Sequence, residues 1–471
     1  MSNEQTVGES QGPGTIPGWG SLEFSRRMGL KALGVAAAAG GVGALTDAAA
    51  SYGATKNTVI KIGFVTPSTG ALASFAGPDN YVLKLVRASQ YFAKGIKLGG
   101  TTYKIQIITA DSQSSPSVAA QVTTQLIQAK GVDIVVTSSA PETAVPVSTV
   151  CEQAGIPCVS TVVPWEAWYV GLGGTLSAQG QAQSGGFKYC TTFFFGVPEF
   201  VECFLPMWNR IQKSTNANKV YAGMFPNDAD GNAFRAAFPP ILAAMSNNAY
   251  KFVDGGAYTD MSSDYTSMIQ TFKSAGADFF VNAPLPPDFN TFWKQAAQQQ
   301  WRPKLATVAK VMLFPTDVYA LGSLSNNVAT DAWFTPYAPY KSSLTGMTAN
   351  SFAAGYQRAT GQQWVQSMGS TYSLFEVVIE ALKKVKNPHD RSAVANALHH
   401  VNYHGITGPI NFAAKTNPAP GVAIIKPVGI QWKPGSKANV GGKVFKWSPY
   451  VVDNTLNKQV PLTGVLRPTN A

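Results

Sequence analysis

One stretch of sequence decides the fold: Asp133–Trp165, which reads DIVVTSSAPETAVPVSTVCEQAGIPCVSTVVPW. Its apolar, β-branched residues Ile134–Thr137 are typical of a buried parallel strand. A helix is predicted over Thr143–Ala154, where apolar residues recur at helical spacing, and Gly155 is expected to end it. A second buried strand is predicted at Cys158–Val163. The stretch is therefore a strand–loop–helix–strand–loop unit, as found in parallel α/β sheets.

The two loops of this unit leave the carboxyl ends of parallel strands, the edge at which open α/β sheets bind ligands. The first loop is small and polar, and the second joins a hydroxyl to aromatic walls. This combination predicts a small-molecule cleft that is half polar and half apolar. No nucleophile–base pair is recognisable in either loop. The residues expected to contact a ligand are Ser138, Ser139, Thr143, Thr161 and Trp165.

The composition indicates a globular chain with more than one core. The chain has 471 residues, of which 45% are hydrophobic and 13% charged, and this length predicts two lobes. The formal net charge is +11, but lysine and arginine are scattered and do not cluster with aromatic residues. Nucleic-acid binding is therefore not expected, while anionic ligands or an anionic envelope remain compatible with the charge.

The N-terminal residues 1–50 have the features of an export signal. Ser25–Lys31 (SRRMGLK) precedes a mild apolar run, Ala32–Leu45, and then Asp47–Ala50. The paired arginines resemble the twin-arginine signal that exports folded proteins, although Gly29 stands where phenylalanine is usual. The alternatives are an amphipathic N-terminal helix or a membrane anchor. We predict cleavage near Ala50 and a periplasmic mature protein.

Export makes the four cysteines candidates for disulfides. Cys151 and Cys158 are close enough in sequence for a local bridge, and Cys190 and Cys203 would form the second. Four cysteines allow three pairings, and buried free thiols are the alternative. Zinc is not expected, because no paired Cys-x-x-Cys spacing is present.

Strands and helices alternate along residues 59–163, and the alternation restarts over residues 200–308. This pattern predicts an α/β fold with two doubly wound parallel-sheet lobes. Helices predicted between residues 349 and 398 are expected to return to the first lobe after a crossing at 331–340. A late strand-like stretch is predicted at 422–432, and the segment after Gly435 is not placed.

An ordered set of motifs runs through both lobes: IKIG at Ile60–Gly63, TPSTG at Thr66–Gly70, DSQSSP at Asp111–Pro116, the Ser138-Ser139…Thr143 loop, AGIP at Ala154–Pro157 and NDADG at Asn227–Gly231. This set resembles the type I periplasmic solute-binding proteins of branched-chain amino-acid ABC importers, over roughly residues 58–410. The resemblance implies three crossings between the lobes, closure on a small solute and docking on a membrane permease. We assign residues 58–190 and 341–405 to lobe one, and 191–340 and 406–450 to lobe two.

The resemblance also implies ligand positions in both lobes. Hydroxyls and amides of the Ser138–Thr143 and Thr161–Val163 loops would hold a ligand carboxylate, which agrees with the anion-donor chemistry of such loops. Phe75 would cover the ligand from the first loop of lobe one. From lobe two, the implied contacts are Asn227, Asp228, Asp230 and the segment Ala283–Pro287.

Lys310 departs from the family pattern. Amino-acid binders of the family hold the ligand ammonium with an acidic residue in this region of lobe two, whereas this chain has Lys310. We therefore hypothesise that Lys310 pairs with an anionic group and that the ligand lacks a free α-amine. The alternative is that Lys310 points to solvent, as most lysines do.

The sequence therefore predicts a non-catalytic, exported binding protein that captures an amino-acid-like or carboxylate solute and delivers it to an ABC permease. It is expected to be a monomer without cofactor or metal. A calcium loop starting near Asp228 is not expected, because Pro226 and Ala237 occupy the positions of its first and last ligands. The alternative functions are an exported amidase or hydrolase and a ligand-sensing receptor subunit.

Overall fold

The computed structural model describes residues 57–177, 180–184, 186–435 and 440–469. The predicted export signal at residues 1–50 lies outside these ranges. The strands are β1 Val59–Thr66, β2 Ile96–Leu98, β3 Thr101–Asp111, β4 Ile134–Ser138, β5 Cys158–Thr161, β6 Thr175–Leu176, β7 Ala182–Ser184, β8 Cys190–Phe193, β9 Val220–Met224, β10 Lys251–Asp254, β11 Phe279–Asn282, β12 Leu305–Val308, β13 Ala329–Ala332, β14 Asn402–Gly405, β15 Gly408–Asn411, β16 Val422–Ala423, β17 Val428–Pro434 and β18 Trp447–Asp453.

Helices separate most of these strands. They are α1 Asp79–Ala88, α2 Gln90–Ala93, α3 Pro116–Gln128, α4 Pro141–Ala154, α5 Trp165–Gly171, α6 Val197–Thr215, α7 Ala229–Met245, α8 Thr266–Ser274, α9 Pro286–Gln298, α10 Pro315–Leu321, α11 Ala349–Thr360, α12 Ser367–Leu382 and α13 Arg391–His399, with 3₁₀ turns at Ala73–Phe75 and Gly322–Ser325. Within the described ranges, no helix has the length and apolar character needed to cross a membrane.

The stretch Asp133–Trp165 folds largely as its pattern predicts. β4 and β5 are buried along their whole length, as strands covered on both faces of a sheet must be. Gly155 ends α4 in the left-handed conformation at φ 64°, which an L side chain rarely adopts. Helix α4 begins at Pro141, two residues before the predicted start, because proline suits the first helical position.

Two seven-stranded sheets form the two lobes of the described chain. The first sheet has the order β16-β8-β5-β4-β1-β3-β2, and its pairs are parallel except β2 against β3. The second has the order β10-β9-β11-β12-β13-β17-β18, in which β17 runs antiparallel to both β13 and β18. The carboxyl ends of the central strands of both sheets face the cleft between the lobes, so the loops after β4, β5, β9 and β12 meet there.

The predicted lobe boundaries at residues 190 and 405 are corrected by the strand pairing. β8 (Cys190–Phe193) pairs with β5 in the first sheet, so the first crossing follows Phe193. The predicted strand at 422–432 is two strands, because β16 joins the first sheet and β17 the second. The third crossing therefore lies at residues 424–427. The sequence VAIIKPVGIQW does not reveal this change of sheet, because the strands before and after the crossing are both buried and apolar.

Ser115 is the N-cap of α3 and accepts a hydrogen bond from the Val118 N–H at 3.5 Å. Pro116 then occupies the first helical position. The segment after Gly435, which the sequence did not place, contributes β18 to the second sheet.

Candidate solute-binding cleft

A small cavity of about 30 Å³ lies between the two lobes. Both lobes and the crossings contribute to its walls, which are mostly apolar and aromatic with three charged side chains. The lining residues are Phe75, Ala140, Val162, Pro164, Phe194, Phe200, Asp230, Phe234, Ala309, Lys310, Leu313, Asp331 and Trp333. Of the residues predicted to contact a ligand, Phe75, Asp230 and Lys310 line this cavity.

Aromatic rings from different parts of the chain meet around the cavity. Phe75 of the first lobe makes an edge contact with Phe314 of the second, with ring centroids 4.7 Å apart. Phe200 makes a similar contact with Phe234 at 4.9 Å, so helices α6 and α7 share one wall. Such rings suit an apolar or ring-bearing ligand because they bury large areas at fixed geometry.

Lys310 connects the two lobes through an ion pair. Its Nζ lies 2.9 Å from Oε1 of Glu142, at the start of α4 in the first lobe, and 3.2 Å from Oδ2 of Asp230 in the second. Lys310 is only 7% exposed, so the solvent-exposed alternative is wrong. The anionic groups that it meets in this structure are the chain's own carboxylates.

The backbone at Lys310 has φ 66°, in the left-handed region that non-glycine residues seldom adopt. Strained backbone of this kind persists where surrounding contacts hold it, and it is common at ligand sites. Here the conformation directs the ammonium group at Glu142 and Asp230.

The pKa values in this cluster follow from burial and from the Lys310 charge. Burial raises the pKa of Asp230 to about 6 and that of Asp228 to about 8, although the Lys310 charge opposes both shifts. For Glu142, the ion pair with Lys310 outweighs burial and holds the pKa below its ordinary value. The Lys310 pKa is raised because its carboxylate neighbours outweigh the burial that would lower it. At neutral pH, Glu142 and Asp230 are therefore predominantly ionised beside one ammonium group.

Asp228 and Asn227 serve the local structure of the second lobe. Asp228 is the N-cap of α7 and accepts a hydrogen bond from the Gly231 N–H at 2.6 Å, as expected from its position before that helix. Asn227 is exposed and bonds to Asn232 at 3.2 Å. Neither side chain lines the cavity. Across the described residues, no group of three or more His, Cys, Asp and Glu side chains is arranged to hold a metal ion.

The first-lobe hydroxyls divide into two groups. Ser138 donates to the Ser370 hydroxyl at 3.3 Å, and Thr161 donates to the Phe193 carbonyl at 2.6 Å, so both are used inside the lobe. Ser139 and Thr143 are buried beside the start of α4, and their hydroxyls have no hydrogen-bond partner among the described residues. Neither residue lines the cavity, but Ala140, which lies between them at the amino end of α4, does. Of the predicted first-lobe contacts, these two hydroxyls are the ones left to receive an anion.

Trp165 is a core residue and not a cleft wall. It is 3% exposed and packs against Tyr169, with ring centroids 6.2 Å apart. Pro164 lines the cavity in its place, because the second loop turns into α5 directly after it. The expected aromatic wall is instead supplied by Phe194 and Trp333.

Phe194 and Trp333 were not predicted as site residues because they lie in the crossings. Residues 331–334 (DAWF) belong to the predicted crossing at 331–340, and residues 191–196 (TTFFFG) lead into the first crossing, but no side chain of either run was assigned to a site. An aromatic-rich crossing was the available signal, since the crossings run beside the cleft. Asn282 was also missed. It ends β11, is fully buried, and neither of its side-chain amide atoms has a partner within the described ranges.

The four cysteines are buried free thiols in the structure, so the predicted disulfides are not present. Cys151, Cys158 and Cys190 lie in one core of the first lobe, where the Cys190 thiol donates to the Ser148 carbonyl at 3.1 Å. Cys203 packs in a different core on α6, which does not favour its pairing with Cys190. The free-thiol alternative is the one that the structure contains.

Two parallel-sheet lobes, crossings that join them and a cavity walled by both define a two-lobed binding protein, which encloses a small ligand. A family model described as "Periplasmic binding protein" matches residues 59–425. The chain therefore belongs to the periplasmic binding protein family.

Solved structures show the same fold. The leucine-binding protein LivK from Thermotoga maritima is 15% identical, with a TM-score of 0.65 over 83% of this chain and 98% of its own. The substrate-binding protein LivJ from Streptococcus pneumoniae, in complex with isoleucine, is 16% identical, with a TM-score of 0.61 over 83% and 99%. An ABC-transporter solute-binding protein from Rhodopseudomonas palustris, in complex with 3,4-dihydroxybenzoic acid, is 18% identical, with a TM-score of 0.60 over 84% and 99%.

Proposed function

We propose that this chain is the exported solute-binding subunit of an ABC importer and captures a small amino-acid-like or carboxylate solute. The observation that carries the proposal is the cavity walled by both lobes, because a solute held there contacts both lobes and favours their closed arrangement. The similar structures in complex with isoleucine and with 3,4-dihydroxybenzoic acid support a small carboxylate as the solute. Binding without turnover and a monomeric state are part of the proposal.

The distribution of charge supports a specific orientation of the solute. A solute carboxylate beside Lys310 would also meet Glu142 and Asp230, which already hold the ammonium group. The unpartnered hydroxyls of Ser139 and Thr143, at the amino end of α4, can instead donate hydrogen bonds to a carboxylate, and the ion pair with Lys310 offsets the Glu142 charge in the same turn. We therefore assign the solute carboxylate to the first lobe.

The cluster of Glu142, Asp230 and Lys310 has two possible roles toward a solute amine. Oδ1 of Asp230, a residue that lines the cavity, has no hydrogen-bond partner in the described part of the chain, so it can accept from an amine. Lys310 can instead serve as an internal ammonium group that makes a solute amine unnecessary. These two roles of the cluster are distinguished by leucine and 4-methylpentanoate, which differ only in the α-amine.

The test is a thermal-shift screen followed by calorimetry. The panel contains aliphatic and aromatic amino acids, their amides and the matching amine-free carboxylates. A solute present at 100 times its Kd adds about 2.7 kcal/mol to the free energy of unfolding. Tighter binding of leucine would support a hydrogen bond from the solute amine to an unpartnered carboxylate oxygen. Tighter binding of 4-methylpentanoate would support Lys310 as an internal ammonium group that replaces the solute amine. If no compound shifts the unfolding temperature, the proposed solute class is wrong.

Export and delivery have separate tests. We propose that the twin-arginine-like segment directs export and that cleavage occurs near Ala50. Mass spectrometry of the periplasmic protein should give an N-terminus close to Ser51, and replacement of Arg26 and Arg27 by lysine should retain the precursor in the cytoplasm. Solute-dependent stimulation of ATP hydrolysis by a co-expressed ABC permease would support delivery. Turnover of any bound solute would contradict the binding role.

A further inference from the structure

Asp331 and Trp333 form a polar group in an otherwise largely apolar part of the cavity. Asp331 lies in β13, and Trp333 follows that strand directly. Residues two apart on an extended segment point to the same face, and both of these side chains line the cavity. The strand therefore presents a carboxyl group and an indole N–H side by side.

Both groups are buried without a complete set of partners. Asp331 is 1% exposed and Trp333 is 6% exposed. Oδ1 of Asp331 accepts from the Thr330 hydroxyl at 3.3 Å, whereas Oδ2 of Asp331 and Nε1 of Trp333 have no hydrogen-bond partner anywhere in the described residues. Buried polar atoms are nearly always paired, because an unpaired one loses its hydrogen bonds to water without replacement.

The backbone that carries these two groups is held in place. Gln366 accepts from the Trp333 N–H at 3.0 Å and donates to the Asp331 carbonyl at 2.9 Å. Phe194 packs edge-on against Trp333, with ring centroids 5.1 Å apart. The donor and the acceptor are therefore preorganised for a ligand and are not free to find partners elsewhere.

We propose that Asp331 and Trp333 recognise an uncharged hydroxyl or carboxamide on an apolar, ring-sized solute. This inference rests on the proposed function, since it concerns a solute in the same cavity. A hydroxyl accepts from the Trp333 indole N–H and donates to Asp331. An ammonium group has no acceptor for the indole N–H, and a carboxylate has no donor for an ionised Asp331.

The protonation of Asp331 supports a neutral partner. Burial raises the pKa of Asp331 to about 7, so both forms of its carboxyl group are present near neutral pH. A hydroxyl pairs with either form, because it can donate to the carboxylate or accept from the carboxylic acid. A charged solute group pairs with only one of them.

The experiment uses two matched pairs of probes and calorimetry on the purified full-length chain. The pairs are phenylalanine with tyrosine, and 3-phenylpropionate with 3-(4-hydroxyphenyl)propionate, so each pair differs only in a ring hydroxyl. We expect the hydroxylated member to bind about ten- to hundredfold more tightly, as is usual for a site built to bond a hydroxyl. The second pair lacks the amine, so the result is independent of the role of Lys310.

Variants then assign the hydroxyl preference to the two residues. Trp333→Phe and Asp331→Val should reduce the preference to about twofold or less, whereas Asp331→Asn, which keeps a donor and an acceptor, should retain it. Trp447→Phe is the matched control, because the Trp447 indole N–H is also buried without a partner among the described residues but does not line the cavity. It should leave the preference unchanged.

Each outcome decides between the two proposals. Equal binding of both members of a pair overturns the inference and leaves solute capture standing. A preference that survives Trp333→Phe and Asp331→Val also overturns it. If neither member of either pair binds, the inference is wrong, and the leucine and 4-methylpentanoate pair then tests solute capture separately. If Trp333→Phe does not fold, the wild-type preference and the contrast between Asp331→Val and Asp331→Asn still decide the result.

Discussion

The Lys310 ammonium lies 2.9 Å from Oε1 of Glu142, and this ion pair joins the second lobe to the first across the cleft. Glu142 lies in the first turn of α4, whereas Lys310 follows β12, so the two residues belong to different lobes. Asp230 accepts from the same ammonium group at 3.2 Å within the second lobe. The stability of the closed arrangement therefore depends on a charge that the chain supplies itself.

Removal of the Lys310 charge should destabilise the protein. Lys310→Met leaves Glu142 and Asp230 buried without a cation, and loss of one partner from a buried ion pair costs about 3–5 kcal/mol. We expect a loss of this size in the free energy of unfolding measured by urea titration at pH 7.5. Small-angle scattering should also show a larger fraction of open molecules.

The control for this prediction is Lys294→Met, which removes an exposed lysine of α9 and should change the free energy of unfolding by less than about 0.5 kcal/mol. The double variant Lys310→Met with Glu142→Gln should recover part of the loss, because it removes one uncompensated charge. A Lys310→Met variant as stable as the Lys294→Met control would contradict the role of the ion pair.

Asp331 should make stability fall as pH rises. Its pKa is raised from 3.8 to about 7 by burial, so the folded state binds the proton more tightly than the unfolded state does. The resulting stabilisation is complete below about pH 4 and is lost as pH rises through about 7. A shift of roughly three pKa units corresponds to at most about 4 kcal/mol.

Asp331→Asn removes this titration. The free energy of unfolding of the variant minus that of the wild type should therefore increase between pH 4 and pH 8, which urea titrations at both values can measure. Glu202→Gln, at an exposed position of α6 in the second lobe, controls for the general effect of losing a carboxylate. A difference that does not change with pH would exclude Asp331 as the titrating group.

Phe75 should contribute to solute affinity from the first lobe. It lines the cavity and contacts Phe314 across the cleft at 4.7 Å, so Phe75→Ala removes a wall and an interlobe contact together. Loss of about 1.5–3 kcal/mol of apolar burial predicts roughly a ten- to hundredfold weaker Kd for whichever probe binds best. Calorimetry on folded variant protein measures this, and Phe75→Leu should retain most of the affinity. Unchanged affinity of Phe75→Ala would place the solute elsewhere.

The four thiols should be free of disulfides and should be protected from reagents in the folded protein. All four cysteines are buried and unpaired by disulfides in the structure. The native protein, prepared without reductant, should react with less than about one equivalent of DTNB, because the reagent needs access to a thiolate. In guanidinium chloride the same sample should react with four equivalents, matching the four cysteines of the sequence. Reaction with only two equivalents of DTNB would indicate one disulfide and would support the disulfide prediction made from the sequence.

Local sequence patterns predicted the elements that surround the site better than the site itself. The first-lobe strands and the helix from Pro141 to Ala154 follow from apolar runs and from Gly155, since these signals act over a few residues. Phe75, Asp230 and Lys310 were placed at the cavity through the family resemblance. Thr161 and Trp165 were not cleft residues, because hydrogen bonding and packing inside the first lobe use them.

The sequence by itself determined an α/β chain with two lobes, the order of most strands and helices, and the edge at which ligands bind, because strand and helix periodicities and the carboxyl-edge rule depend on local order. Tertiary structure alone decided that Lys310 pairs with Glu142, which is 168 residues away, and that β16 and β17 belong to different sheets. It also brought Asp331 and Trp333 to one wall with Phe75. Such contacts depend on how two separately formed sheets face each other, and no local pattern encodes that arrangement.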